Sequence, residues 1–371
     1  MKDNETTGSP SGEKIPVAMI GLGPLAGHML GALARCPAVR VVGIADRDAQ
    51  RAQLLGRDID APHYTDNRQL LMGTRPAAVF LATPPMAAVE IMETCASLGI
   101  HVWKDAPLGR NLGEAASMVR RFADAGLKLA VGTQRRFVET YQRAHELRAR
   151  LGQTFLGRAE YFFNWGSELG WRADAHSAGG GALLELGYHP IDLLVWMLGL
   201  PEEVYGLSTR AEPSGDALAE TGRACGPHDT DDTASALLRY KYDAIATVSV
   251  SRISGPVSEM LALRGQDGSL VASGESCTLR NPNGDVLDHI QPEVRAQDIA
   301  ARQVESFIDA VASEADSCQC SAMENLMTHA VIEAIYLSSQ TCQPESPLRQ
   351  LEIHGLRPAD NHNQAPRFHT R

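Results

Sequence analysis

The chain has 371 residues, 44% of them hydrophobic and 21% charged, with 33 glycines and 20 prolines. That length exceeds one ordinary compact domain, and the composition is that of a globular chain rather than a disordered one. A net charge of -11, with Lys and Arg scattered rather than blocked, offers no broad attraction for phosphate backbones or anionic lipid, so neither nucleic acid nor a membrane is an expected partner.

The opening MKDNETTGSPSGEK is polar and lacks the basic-then-apolar layout of a signal peptide, and no later run approaches the length of a membrane span. A loose segment over 1–14 and a cytoplasmic location are expected. Seven widely spaced cysteines do not form a disulfide framework and are expected as reduced thiols. Cys318 and Cys320 lack the further ligands of a metal knuckle, and no metal is expected.

Five short apolar runs follow: VAMIG (17–21), VRVVGIA (39–45), AAVFLA (77–82), IHVW (100–103) and LKLAVG (127–132). Between them lie segments of helical spacing at 24–36, 86–99 and 112–126, the last two ending at Gly. Strand and helix in alternation predict a parallel, doubly wound α/β sheet covered on both faces, over 15–135.

The first strand runs into Gly21-Leu22-Gly23-Pro24-Leu25-Ala26, the G-x-G-x-x-G/A pattern of a Rossmann dinucleotide site. Gly21 allows the tight turn, Gly23 lets backbone amides approach a pyrophosphate, and Ala26 lets helix and strand pack closely. Asp46 ends the second strand, where a carboxylate accepts both ribose hydroxyls, which favours NAD over NADP. Arg47 beside it is the residue that would instead accommodate a 2'-phosphate. Thr83-Pro84 after the third strand, Asp105 at the end of the fourth and Gln134 after the fifth share the carboxyl edge, where ligands of such sheets bind.

From residue 153 the pattern changes to alternating segments such as TFLGRAEYFFNWG, TASALLRYKY, AIATVSVSRIS and EMLALRGQDGSLVASG, expected as antiparallel strands with a hairpin turn at Asp267-Gly268. With helical runs at 300–315 and 321–340 they predict an α+β domain over 136–345, a cleft between the domains, and a loose tail over 346–371.

In WRADAHSAGGGALLELGYHPIDLLVWMLG, three glycines (179–181) suit a backbone pressed against a ligand or another segment. Glu185 and His189 follow at i,i+4 spacing, a carboxylate placed to orient a general base. Gly187 and Pro190 interrupt the helix, and a purely structural pair at a helix break stands as the alternative. Asp192 and Trp196 are read as packing groups, and His228-Asp229-Thr230-Asp231-Asp232 as a solvated turn rather than a cation site.

GLGPLA, IADRD, ATPP, HVWKDAPL, VGTQRRF, WR and GGGALLELGYHPID, in this order, resemble the glucose-fructose oxidoreductase and inositol dehydrogenase (Gfo/Idh/MocA) family over nearly all of 15–345. The resemblance implies a Rossmann domain, a second domain on a large open, mainly antiparallel sheet, bound NAD or NADP, and redox chemistry on sugars, polyols or related hydroxy compounds. It also implies assembly as a homodimer or homotetramer through the open sheet. It assigns the catalytic base to His189, with Glu185 where Asp is usual, and places Pro84 and Gln134 near the cofactor.

One departure falls at Asp105-Ala106-Pro107, where family members carry Glu-Lys-Pro. Ala106 has no proton to handle. Lys104, on the same strand face, is then the candidate substitute, against a lysine whose stem merely covers apolar surface. Arg136, Trp171 and Arg172 are the expected substrate-holding residues, with packing at the domain interface as the equal alternative. Because Ala106 replaces the lysine, two alternatives to a dehydrogenase remain open: a cofactor-binding protein without turnover, and an NAD-using lyase or glycosidase.

Overall fold

The computed structural model describes residues 14–24, 26–166, 168–211, 228–313 and 318–357, with the backbone of 367–368. Residues 1–13, Leu25, Cys225 and most of the tail beyond Arg357 lie outside the described residues.

Six parallel strands form the first sheet: β1 (Ile15–Ile20), β2 (Val39–Ala45), β3 (His63–Tyr64), β4 (Ala78–Leu81), β5 (His101–Asp105) and β6 (Leu129–Gly132), in the order β3-β2-β1-β4-β5-β6. The order reverses between β1 and β4, which places a binding crevice at their carboxyl ends. Both faces are buried: Ala18 and Ile20 join one core, Val17 and Met19 the other. Helix α1 (Ala26–Arg35) packs through Ala26, Met29, Leu30 and Leu33, the 3.6-residue repeat expected of it.

Helices α2 (Ala49–Asp58) and α3 (Asn67–Thr74) add to the expected set, each capped by an aspartate, Asp48 and Asp66, that accepts backbone N–H groups. Helices α4 (Pro85–Ser97) and α5 (Leu112–Asp124) then cover the sheet.

After α6 (Glu139–Leu147) comes a second sheet of eight strands: β7 (Thr154–Phe162), β8 (Glu203–Thr209), β9 (Thr233–Arg239), β10 (Ile245–Ser251), β11 (Ser258–Gly265), β12 (Gly268–Ala272), β13 (Cys277–Arg280) and β14 (Val286–Ile290). It is mainly antiparallel, as expected, with β7 and β10 as a parallel pair within it. The β11–β12 hairpin turns on Gln266 and Asp267, because Gly268 already pairs with Gly265.

Short helices α7 (Ala175–Ala178) and α8 (Ala182–Glu185) lead into α9 (Tyr188–Leu198). Longer helices α10 (Ala296–Ala312) and α11 (Ala322–Thr341) follow the sheet. Gly206 faces Ile335 of α11 and Gly157 faces Leu194 and Leu198 of α9, so one sheet face is covered by helices. The opposite face leaves Tyr205, Leu237, Ile245 and Val271 exposed.

Helix α10, assigned from sequence to the second domain, packs on the first: Val304, Phe307 and Ile308 join the Met19–Leu33 core, and Phe307 meets Phe80 edge to face. The segment after Ser346, expected to be loose, forms helix α12 (Pro347–Ile353), whose Leu351 is fully buried. No helix among the described residues is long and apolar enough to cross a membrane.

Candidate active site

The nucleotide fingerprint closes into a cradle. Gly21 has φ +90°, and a Cβ there would stand 2.4 Å from the Ala82 carbonyl oxygen, so only glycine fits between β1 and the loop after β4. Leu22 N–H donates to Asp46 Oδ2 (2.7 Å) and Asp48 N–H to Oδ1 (2.8 Å), which fixes the carboxylate beside the turn with acceptor capacity to spare. Gly23 and Pro24 form the exposed side of that turn, Ala26 is buried as the first residue of α1, and Arg47 is exposed. Pro84 precedes α4 as its cap, and Thr83 Oγ1 is buried without a hydrogen-bond partner. A glycine cradle, a helix N-terminus and a presented carboxylate fit a dinucleotide.

Beside this edge lies a cavity of about 310 Å³ whose walls come from both domains, including Trp103, Asp105, Gln134, Arg135, Tyr141 and Glu259. Asp105 and Gln134 therefore stand where they were expected. The Asp105 carboxyl is pushed up by burial, against the pull of Lys104, the Ala106 N–H and Arg172. Lys104 is corrected: alternation along β5 turns it away from Trp103 and Asp105, and it is not among the residues lining the cavity. It is 1% exposed, and its ammonium donates to the Asp105 carbonyl at 2.6 Å rather than reaching solvent or a carboxylate. Burial lowers its pKa to about 8.

The helix carrying Glu185 and His189 breaks, as Gly187 and Pro190 suggested. Helix α8 ends at Glu185, and α9 begins at Tyr188. Among the described residues no hydrogen bond joins Glu185 to His189, which corrects the expected orienting pair. Glu185 Oε1 instead accepts from Arg172 Nε at 2.6 Å. The Arg172 guanidinium lies over the rings of Trp165 (4.1 Å) and Trp171 (4.5 Å), so the expected substrate residues Trp171 and Arg172 act on each other. Burial raises the Glu185 carboxyl, and Arg172 opposes that rise.

His189 is half-buried, and its Nδ1 has no hydrogen-bond partner. Burial first, and the Arg135 cation second, hold the ring well below its ordinary pKa, so it is a neutral imidazole near pH 7. Tyr161 meets it edge to face with 6.4 Å between centroids.

Arg136 is corrected as well. Its guanidinium is 3% exposed and pairs with both oxygens of Asp192 (2.8 Å each) and with Glu324 (2.9 Å), tying the turn after β6 to α9 and α11. Asp192 is thus an ion-pair partner rather than simple packing, while Trp196 stacks on His145. Arg135, one residue earlier, faces the cavity instead, with Glu259 and Tyr141. Sequence reasoning missed these three: the adjacent arginines do not reveal which one points inward.

The three glycines serve another chain segment rather than a ligand. A Cβ on Gly179, Gly180 or Gly181 would meet Arg110, Tyr336 or Asp231 at 2.3, 2.4 or 1.9 Å. The Asp231 carboxylate accepts Gly181 N–H, Leu183 N–H and the Tyr336 hydroxyl, and Asp232 pairs with fully buried Arg252 at 2.7 Å. The segment read as a solvated turn is therefore a buried clamp on the loop before α8. The six described cysteines are free thiols, and no group of His, Cys, Asp or Glu that could hold a metal occurs among the described residues.

Residues 15–133 match the model described as oxidoreductase family, NAD-binding Rossmann fold, and residues 141–271 match the GFO/IDH/MocA C-terminal domain. An uncharacterized oxidoreductase of Synechocystis sp. is 26% identical over 275 residues, 71% of this chain and 72% of that protein. D-xylose 1-dehydrogenase (NADP(+)) 2 of Haloferax volcanii is 26% identical over 312 residues, 80% of this chain and 89% of that protein. Among solved structures, levoglucosan dehydrogenase in complex with NADH and L-sorbose superposes with a TM-score of 0.81 at 19% identity, covering 91% of this chain and 100% of that one. With both of its halves matched and the two-sheet architecture shared, the chain belongs to the Gfo/Idh/MocA family of oxidoreductases.

Proposed function

We propose that the protein is an NAD-dependent dehydrogenase of a sugar, polyol or related hydroxy compound, with His189 as the group that takes the hydroxyl proton. The observation that carries this reading is the His189 imidazole, whose Nδ1 is buried and unpartnered and whose ring meets Tyr161, itself packed under Arg135 of the cavity wall. Gly21, Gly23, the α1 N-terminus and Asp46 would hold the cofactor, with Thr83, Pro84, Asp105 and Gln134 along its reactive end. The chemistry it supplies when bound is acceptance or donation of a hydride. Asp46 favours NAD, because a 2'-phosphate would meet its carboxylate. Arg172, held by Glu185 and over the Trp165 and Trp171 rings, would offer its remaining N–H donors to an oxygen-rich substrate. Copies of the chain would assemble through the exposed face of the eight-stranded sheet.

The test is a panel of sugars and polyols, with NAD⁺ and NADP⁺ binding measured separately by fluorescence. His189→Ala should lose turnover while still binding NAD⁺, and normal turnover in that variant would sink the assignment.

A second reading rests on Ala106: no lysine lines the cavity among the described residues. A lyase or glycosidase that returns its hydride would give product without net NADH, and a non-catalytic binder would give neither. Product analysis by mass spectrometry separates the three.

A further inference from the structure

The reading of His189 as proton acceptor leaves a gap, because the carboxylate expected to orient the ring is bound to Arg172. The charged group that acts on the imidazole is Arg135, in the short 3-10 turn after β6. Its side chain is fixed on two sides. Nε and Nη2 donate to the Glu259 carboxylate at 3.0 and 2.8 Å, and the Tyr141 hydroxyl donates to the same carboxylate at 2.6 Å. The guanidinium lies 4.9 Å over the Tyr161 ring.

Glu259 on β11 and Tyr161 on β7 are direct cross-strand partners, so a single rung of the second sheet presents a carboxylate and an aromatic face side by side. Arg135 comes from the first domain and docks on both. Tyr161 then meets His189 edge to face, so the chain of contact runs Glu259, Arg135, Tyr161, His189. Arg135 and Glu259 also line the interdomain cavity with Tyr141.

The charged groups around Glu185 and on α9 are engaged elsewhere. Glu185, on the preceding helix, is bound by Arg172, and Asp192, on the same helix as His189, is bound by Arg136. Arg252 is bound by Asp232. Asp105, from β5, acts on Glu185 and is itself acted on by Lys104 and Arg172. Burial holds the imidazole pKa down first and the Arg135 cation second, and Glu259 keeps that cation from being a buried unpaired charge.

We propose that Arg135, clamped by Glu259 and stacked on Tyr161, is the positioning residue of His189, holding the ring in place through Tyr161. The inference rests on His189 as the base, and its test does not depend on knowing the substrate. Imidazole resonances of the full-length protein with NAD⁺ are followed by ¹⁵N NMR against pH, with His189→Gln identifying the ring in question.

In Arg135→Gln the His189 titration should move to higher pH than in the parent, and Arg135→Lys, which keeps the charge, should restore the parent behaviour. If the single variant does not fold, Arg135→Leu with Glu259→Gln leaves no unpaired charge and should show the same shift. An unchanged His189 titration in folded Arg135→Gln or in the double variant overturns the proposal, whatever the activity. If the shift appears but His189→Gln still turns over a compound of the panel, the coupling stands and the base assignment falls.

Discussion

Arg172 Nε and Glu185 Oε1 lie 2.6 Å apart, joining the 3-10 turn before α7 to the end of α8. The two side chains are 23% and 19% exposed, so most of each charge depends on the other for solvation. Arg172→Met strands a carboxyl that burial already pushes upward, and should cost about 1–3 kcal/mol, less than a fully buried pair because water still reaches both groups. Adding Glu185→Gln should recover part of that loss. Urea unfolding of the parent, single and double variants checks this, and an Arg172→Met variant as stable as the parent would show that the pair contributes nothing.

Lys104 makes a prediction of opposite sign. With its pKa lowered from 10.5 to about 8, the buried ammonium lowers stability by about 3 kcal/mol at neutral pH. Between those two values the unfolded chain holds the proton and the folded chain does not, so the site's contribution to stability rises with pH across that window. Lys104→Met fills the same space without charge. It should stabilise the protein by roughly 1–3 kcal/mol at pH 7, offset by loss of the bond to the Asp105 carbonyl, and the gain should narrow at pH 9. A variant that is less stable at pH 7, or a gain independent of pH, contradicts the burial cost.

The glycine run yields a third. Gly181→Ala would place a methyl group 1.9 Å from the Asp231 carbonyl oxygen, a backbone atom held by the clamp that receives Gly181 N–H and Leu183 N–H. The loop before α8 must then shift, at a cost of about 3 kcal/mol or more. A melting temperature within a degree of the parent would exclude this packing.

These sites show where the sequence could be read and where it could not. The parallel sheet and its crevice were legible because β1, β2, β4, β5 and β6 are apolar runs with a glycine turn at a fixed place. Helices α2 and α3 were not, since their polar faces gave a weak pattern, although the capping aspartates Asp48 and Asp66 were a usable signal. Gly21, Asp46, Asp105 and Gln134 lie on the carboxyl edge where their spacing from the strands put them, whereas His189 rested on the resemblance and on a pairing with Glu185 that the break at Gly187 undoes. Arg135, Glu259 and Tyr141 were not legible, because their meeting joins a turn at 135 to a strand at 259. The acidic run at 228–232 looked solvated because its partners Arg252 and Tyr336 are distant in sequence.

The exposed sheet face carries the last prediction. Inward residues such as Val204, Ala236, Leu238 and Val248 pack under helices, so alternation puts their neighbours outside. Tyr205 on β8 pairs with Leu237 on β9, and Leu237 with Thr247 on β10, with Ile245 exposed on the same strand, before exposed Arg158 on β7 interrupts the row. A monomer would leave this apolar row in water, and a second copy of the same sheet would cover it. The parent should therefore run as a dimer or tetramer in light scattering at micromolar concentration. Leu237→Arg places a charge at a position 46% exposed in the single chain, where it costs little in a monomer but opposes a like charge across a symmetric contact. The variant should dissociate while keeping its circular dichroism spectrum, and a parent that is already monomeric would rule this face out as the contact.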